Sequence, residues 1–166
     1  MRNSNKTRNA PTTALRVGVV QGGRIVEERV FQPGRSITLG QSPRNHLQVS
    51  SSDLPARYPV FRWDGEGFRL RFAPGMDGRV AEAGQVHTLE RARHDGRARR
   101  RQGWWEIGLS ERSRGKVEIG DVTVLFQRVA QAPATPQPQL PLVLRSGLSQ
   151  LVEPGLGISL GAAACV

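Results

Sequence analysis

Ile37-Thr38-Leu39-Gly40-Gln41-Ser42-Pro43-Arg44-Asn45-His46-Leu47-Gln48-Val49, continued by Ser50-Ser51-Ser52-Asp53-Leu54-Pro55-Ala56-Arg57-Tyr58-Pro59-Val60-Phe61-Arg62-Trp63, is the stretch that decides the class of this chain. It reads as a strand ending in glycine, a polar turn, a short strand, a Ser/Asp/Pro loop and a third strand. Leu39, Leu47 and Val49 are apolar anchors, and Ser42, Pro43, Arg44 and Asn45 form the turn between them. Backbone donors and basic side chains are therefore expected at one end of a sheet, where β-domains commonly bind.

Working outward, short apolar or alternating runs recur on both sides. They are Leu15–Val20, Ile25–Phe31, Ser36–Gly40, His46–Val49, Pro59–Trp63, Phe68–Phe72, Arg79–Ala81, Val86–Leu89, Trp104–Leu109, Lys116–Ile119 and Val122–Val129. Gly22-Gly23, Pro33-Gly34, Asp64-Gly65, Pro74-Gly75 and Gly120-Asp121 separate them with turn chemistry. About eleven short strands without an amphipathic helix predict an all-β sandwich. Phe68-Arg69-Leu70-Arg71-Phe72 alternates with period two, apolar inward and arginine outward. Val122–Val129 is more continuously apolar, which predicts a strand covered on both faces.

The pattern around Gly40 resembles the N-terminal half of a forkhead-associated (FHA) domain, a β-sandwich family that reads phosphothreonine peptides. Gly40, Asn45 and Leu47 keep that framework, and Arg114-Gly115-Lys116-Val117-Glu118-Ile119-Gly120-Asp121-Val122-Thr123-Val124-Leu125-Phe126 resembles the family's closing hairpin. The resemblance covers Leu15 to Val129. It implies a recognition face at Gly40, Gln41, Arg44, Asn45, Ser52, Arg57, Tyr58 and Asp77. The chain departs from the family where phosphate is held: Gln41 stands for its arginine, Pro55 for its serine, Tyr58 for its histidine and Asp77 for a later asparagine. Gln41 brings no charge, and Pro55 has neither hydroxyl nor N–H. The expectation is a degenerate FHA-like module that binds a protein partner through the same loops. Its rival is a working phosphothreonine reader in which Arg44, Arg57 or Arg35 substitutes for the lost ligands.

The chain has 166 residues and 37% apolar content, enough for one small core. The net charge is +10, and every cationic side chain except Lys6 and Lys116 is arginine, the side chain suited to bidentate contact with phosphate or carboxylate. Cys165 is the single cysteine, which excludes an internal disulfide. His46, His87 and His94 have no metal-ligand spacing, and Gly18, Gly22, Gly23 and Gly34 lack the pattern of a phosphate-binding loop and read as turn glycines. No nucleophile elbow surrounds Ser50–Ser52. The expectation is no enzyme, no cofactor and no metal.

Residues 1–14 read as a disordered basic leader, 15–129 as the sandwich, 130–141 as a Pro/Gln/Ala linker and 142–166 as an apolar segment. Residues 90–103 read as a solvated arginine-rich loop inserted in the sandwich, carrying Arg97, Arg99, Arg100 and Arg101. With Trp104 and Trp105 beside it, one tryptophan expected in the core and one outside, the loop offers a second candidate surface for nucleic acid, an acidic partner or anionic lipid. The pattern as a whole favours a protein partner, phosphorylated or acidic, over nucleic acid. Pro154–Val166 is uncharged but shorter than the ~20 residues that span a bilayer, so it reads either as a loose tail or as the start of a membrane anchor. An FHA-like domain, a proline linker and an apolar segment in that order resemble the cytoplasmic part of some myxobacterial motility or TonB-like membrane proteins. That arrangement implies a place on the cytoplasmic side of a bacterial inner membrane.

Overall fold

The computed structural model describes residues 13–130. The chain runs β1 (Thr13–Gln21), β2 (Arg24–Phe31), β3 (Ile37–Gly40), β4 (Leu47–Gln48), β5 (Tyr58–Trp63), β6 (Phe68–Phe72), β7 (Asp77–Glu82) and β8 (Gln85–Thr88). A short helix, α1 (Leu89–His94), follows, and then β9 (Arg99–Arg101), β10 (Trp104–Gly108), β11 (Arg114–Ile119) and β12 (Val122–Ala130). Two six-stranded sheets result, one ordered β2-β1-β12-β11-β7-β8 and the other β4-β3-β5-β6-β10-β9. Pairing is antiparallel except between β3 and β4. The expected all-β sandwich is the observed architecture.

Alternation explains the layers. In β6, Phe68, Leu70 and Phe72 are buried while Arg69 and Arg71 lie partly exposed on the other face. Val17, Val19, Val117, Val124 and Phe126 of the first sheet share one buried cluster with Ile37, Leu39, Phe61, Leu70 and Phe72 of the second. The rings of Phe61 and Phe126 meet edge to face across the interface, 5.3 Å apart. Each such side chain contributes about 1.5–3 kcal/mol when withdrawn from water, and this cluster is what holds the sheets together.

Several expectations need correction. The sandwich begins at Thr13, because Thr13 and Ala14 pair with Ala130 and Val129 and are buried. Twelve strands form rather than eleven. β12 is central in its sheet, yet only one of its faces is covered; Leu125 is exposed and the burial alternates. Gly18 is no turn glycine but lies within β1 opposite Leu125, whereas Gly22, Gly23 and Gly34 sit in turns. Residues 90–103 are not an inserted loop. Thr88 caps α1 by accepting a hydrogen bond from the Arg91 N–H, and Leu89 and Ala92, three residues apart, turn into the core. Ala98 is also buried, its N–H donating to Ala92 O at 2.8 Å, and the arginines that follow pair with β10. Residues 1–12 of the leader, the linker from 131 and the segment 142–166 lie outside the described residues.

The β5–β6 turn shows how charge fixes a connection. Asp64 Oδ1 accepts from the N–H groups of Gly67 at 2.8 Å and Glu66 at 3.0 Å, and its other oxygen takes the Arg69 guanidinium. These two backbone donors, with Arg69, hold the Asp64 carboxyl at about 2. A depressed carboxyl stabilises the fold above its unfolded value of about 3.9, and that stability is lost as pH falls towards 2. The stability gap between wild type and Asp64→Asn, measured as urea midpoints, is therefore expected to be constant above pH 5 and to shrink between pH 4 and 2.

Candidate recognition surface

The connections β1–β2, β3–β4, β4–β5 and β11–β12 meet at one end of the sandwich. β3 stops at Gly40, whose φ of +144° lies in the region that favours glycine. A Cβ there would stand 2.6 Å from the carbonyl oxygens of both Pro55 and Ala56, so the β4–β5 loop passes directly over the strand end. Ala56 O then accepts from Ser42 N at 3.1 Å and from Asn45 Nδ2 at 2.8 Å, tying the two loops together. Gln41 Nε2 donates to Ser51 O at 2.8 Å.

A second set of bonds fastens this pair of loops to the first sheet. Gln21, at the end of β1, donates to Ser50 O at 2.8 Å and to Asp121 Oδ2 at 2.7 Å, and the Ser51 hydroxyl donates to the other Asp121 oxygen. The hydrogen bonds from Ser51 and then Gln21 lower the Asp121 carboxyl below its usual range. At Gly120, with φ of +57°, any Cβ would run into Asp53, which shows how closely the β11–β12 turn abuts the β4–β5 loop. Polar side chains that a ligand would otherwise engage are thus spent on building the platform.

This construction separates scaffold from display. Gly40 is buried and Asn45 is partly buried and bonded inward. Gln41 is exposed, but its amide donor is committed to Ser51. Arg44, Ser52 and Arg57 stand exposed on the two loops. Asp77 opens β7 opposite Glu118, near the β11–β12 turn, and is exposed. Tyr58 is not on the face at all: it is fully buried, its ring 5.2 Å from that of Trp104, and its hydroxyl donates to Arg71 O. A β-bulge two residues on leaves Val60 unpaired between Thr38 and Ile37, so that Val60 and Phe61 are buried in succession after Tyr58.

His46, beside the turn, is partly buried, with its Nδ1 facing the Thr38 N–H at 3.1 Å and its ring edge-on to Phe31. Burial, and then Arg35, Arg57 and Arg29, push it below its ordinary value. With its Nδ1 turned to the Thr38 N–H, the ring is part of the framework, ringed by cations that belong to three different connections or strands. Sequence reasoning missed Gln21, Ser51 and Asp121. Their partners lie 29 to 100 residues away along the chain, and no local pattern signals such a bond.

The arginines of 90–103 are divided among four places. Arg97 meets His87 Nε2 at 2.9 Å on β8, Arg93 donates to Pro74 O and Arg91 pairs with Asp95. Arg99, Arg100 and Arg101 form the edge strand β9 of the second sheet. Trp104 and Trp105 are both half-buried, rather than one inside and one outside, because Tyr58 gives Trp104 a ring to cover.

Removing the Asn45 amide should loosen the platform without unfolding the sandwich. Asn45→Ala is expected to cost about 1 kcal/mol, the net worth of one hydrogen bond. Faster amide hydrogen exchange confined to residues 41–57 is the expected readout.

No family model matches the chain, and no curated protein matches it. Among solved structures, the chain is similar to the crystal structure of Mycobacterium tuberculosis Rv1747 FHA-1, at 12% identity and a TM-score of 0.39, over 70% of this chain and 97% of that one.

Proposed function

We propose that this chain is a non-catalytic protein-interaction module whose recognition surface is the joined β3–β4 and β4–β5 loops. One observation carries the reading: the loops are locked to each other and to the first sheet by Asn45, Gln41, Ser51, Gln21 and Asp121, and the locked platform displays Arg44, Ser52 and Arg57. A platform ordered before binding spends little of the interaction energy on ordering itself. Exposed arginines on such a platform suit an acidic partner segment.

The phosphothreonine reader is the second reading, and the exposed guanidiniums of Arg44 and Arg57 favour it. Against it, Gln41 supplies no charge and already bonds Ser51, while Pro55 contributes only a carbonyl. Attachment to a membrane-bound bacterial assembly depends on residues 142–166 and is part of the same proposal.

Selection from a displayed peptide library, with and without phosphatase, tests the reading. Enriched acidic peptides that bind equally after phosphatase treatment, and lose binding in Arg44→Ala/Arg57→Ala, are expected. Binders that all require phosphothreonine would establish the second reading instead, and binders indifferent to both arginines would remove the loops from the function.

A further inference from the structure

The polar face of the second sheet carries a cationic cleft whose lining includes none of the displayed loop residues. Strand register places Glu106 opposite Arg71 on β6 and opposite Arg99 on β9, so three strands contribute to one outward row. The Glu106 side chain is only 2% exposed and accepts from Arg71 Nη2 at 2.8 Å and Nε at 3.2 Å, with Arg62 Nε also 3.2 Å away. One buried carboxylate thus orients two guanidiniums. Arg99, Arg100 and Arg101 are exposed, and among the described residues none of them forms an ion pair. With Gln102 these residues line an open cleft of about 600 Å³ in which Glu106 is the single carboxylate.

Arginine on an edge strand has a simpler use, since charge there blocks unwanted strand pairing. That accounts for β9 alone. It leaves unexplained why Arg62 and Arg71, on interior strands, converge on the same cleft. Guanidinium forks match the oxygens of phosphates and carboxylates alike. The neighbouring aromatic decides between them. Trp104 is half-buried, opposite Arg101 in register and two residues from Glu106 on the same face. An indole beside a run of cations serves a ligand that bears both phosphate and a flat base, whereas a chain of carboxylates makes no use of it. The cleft lies on a sheet face and not on a projecting helix or ribbon, so it does not enter a duplex groove.

The geometry points to this cleft as a site for single-stranded nucleic acid, with Arg62, Arg71, Arg99, Arg100 and Arg101 on the phosphates and Trp104 against a base. Its lining includes neither Arg44 nor Arg57.

The test is fluorescence anisotropy of a labelled oligothymidine strand with the full chain across a salt series. With about three to five phosphates neutralised, log affinity is expected to fall against log salt with a slope of about −2 to −3.5. Replacing Arg99, Arg100 and Arg101 together by serine, all at exposed positions, should weaken binding at least ~10-fold and flatten the slope by about 2, while Arg44→Ala/Arg57→Ala leaves both unchanged. Absent binding, a flat salt response or undiminished binding by the serine variant would overturn the site. So would a poly-glutamate peptide, or a phosphatidylserine vesicle, that binds as tightly and with the same dependence on β9, because the cleft would then be a general acidic-surface contact.

Discussion

Tyr58→Ala is expected to destabilise the sandwich by about 3–5 kcal/mol, the range for deleting a buried aromatic ring. Tyr58 is 0% exposed, its ring lies against Trp104, and its hydroxyl bonds Arg71 O with the Met76 sulfur 3.6 Å away. Truncation leaves a cavity beneath β10 and removes the surface on which Trp104 rests. Tyr58→Phe retains the ring and loses the hydrogen bond, so its cost should be about 1–2 kcal/mol. Urea unfolding at neutral pH separates the two variants. Burial raises the Tyr58 hydroxyl above its ordinary range, with Arg71 opposing, so the folded state keeps the proton where the unfolded chain releases it. The stability that this group contributes is full below about pH 10 and declines above it, and the decline should vanish in Tyr58→Phe. A residue of the recognition surface would behave differently, losing binding while stability stayed intact.

The second large effect is expected at Glu106. Glu106→Ala leaves Arg62 and Arg71 facing each other without their shared carboxylate. Breaking a buried pair by removing one partner costs 3–5 kcal/mol where both charges are enclosed. Here the arginine side chains are 34% and 22% exposed, and water screens them, so a loss of about 2–3 kcal/mol is expected. Glu106→Gln keeps an acceptor and the shape, and should fall between the variant and wild type. A double-mutant cycle with Arg71→Met, followed by thermal unfolding at low and high salt, isolates the pair. Coupling near zero at both salt concentrations would show that Glu106 matters for packing alone.

The strand rhythm was legible because it rests on local physics. Phe68-Arg69-Leu70-Arg71-Phe72 alternates in sequence and in burial, and the turn glycines fall between strands where their backbone requires them. What escaped the sequence depends on pairing or on very short range. α1 has six residues, too few to show a helical period, and only Thr88 with Leu89 and Ala92 marks it. β9 is three arginines with no apolar residue, a strand because β10 pairs with it. Within the candidate site, Gly40 and the exposed Arg44 and Arg57 were readable as loop-end residues. Tyr58 was not, since its burial against Trp104 depends on strands that lie far apart in sequence. The bonds from Gln21 and Ser51 to Asp121 join distant segments and appear only once the sheets are assembled.

The central claim is that the two locked loops form the partner-binding surface. Backbone amide chemical-shift mapping with a library-selected peptide tests it most directly. Perturbations concentrated at residues 41–45 and 50–57, and abolished in Arg44→Ala/Arg57→Ala, are the predicted result. Perturbations confined to β9 and β10, or to the outer face of the first sheet around Leu125, with residues 41–57 unmoved, would contradict it.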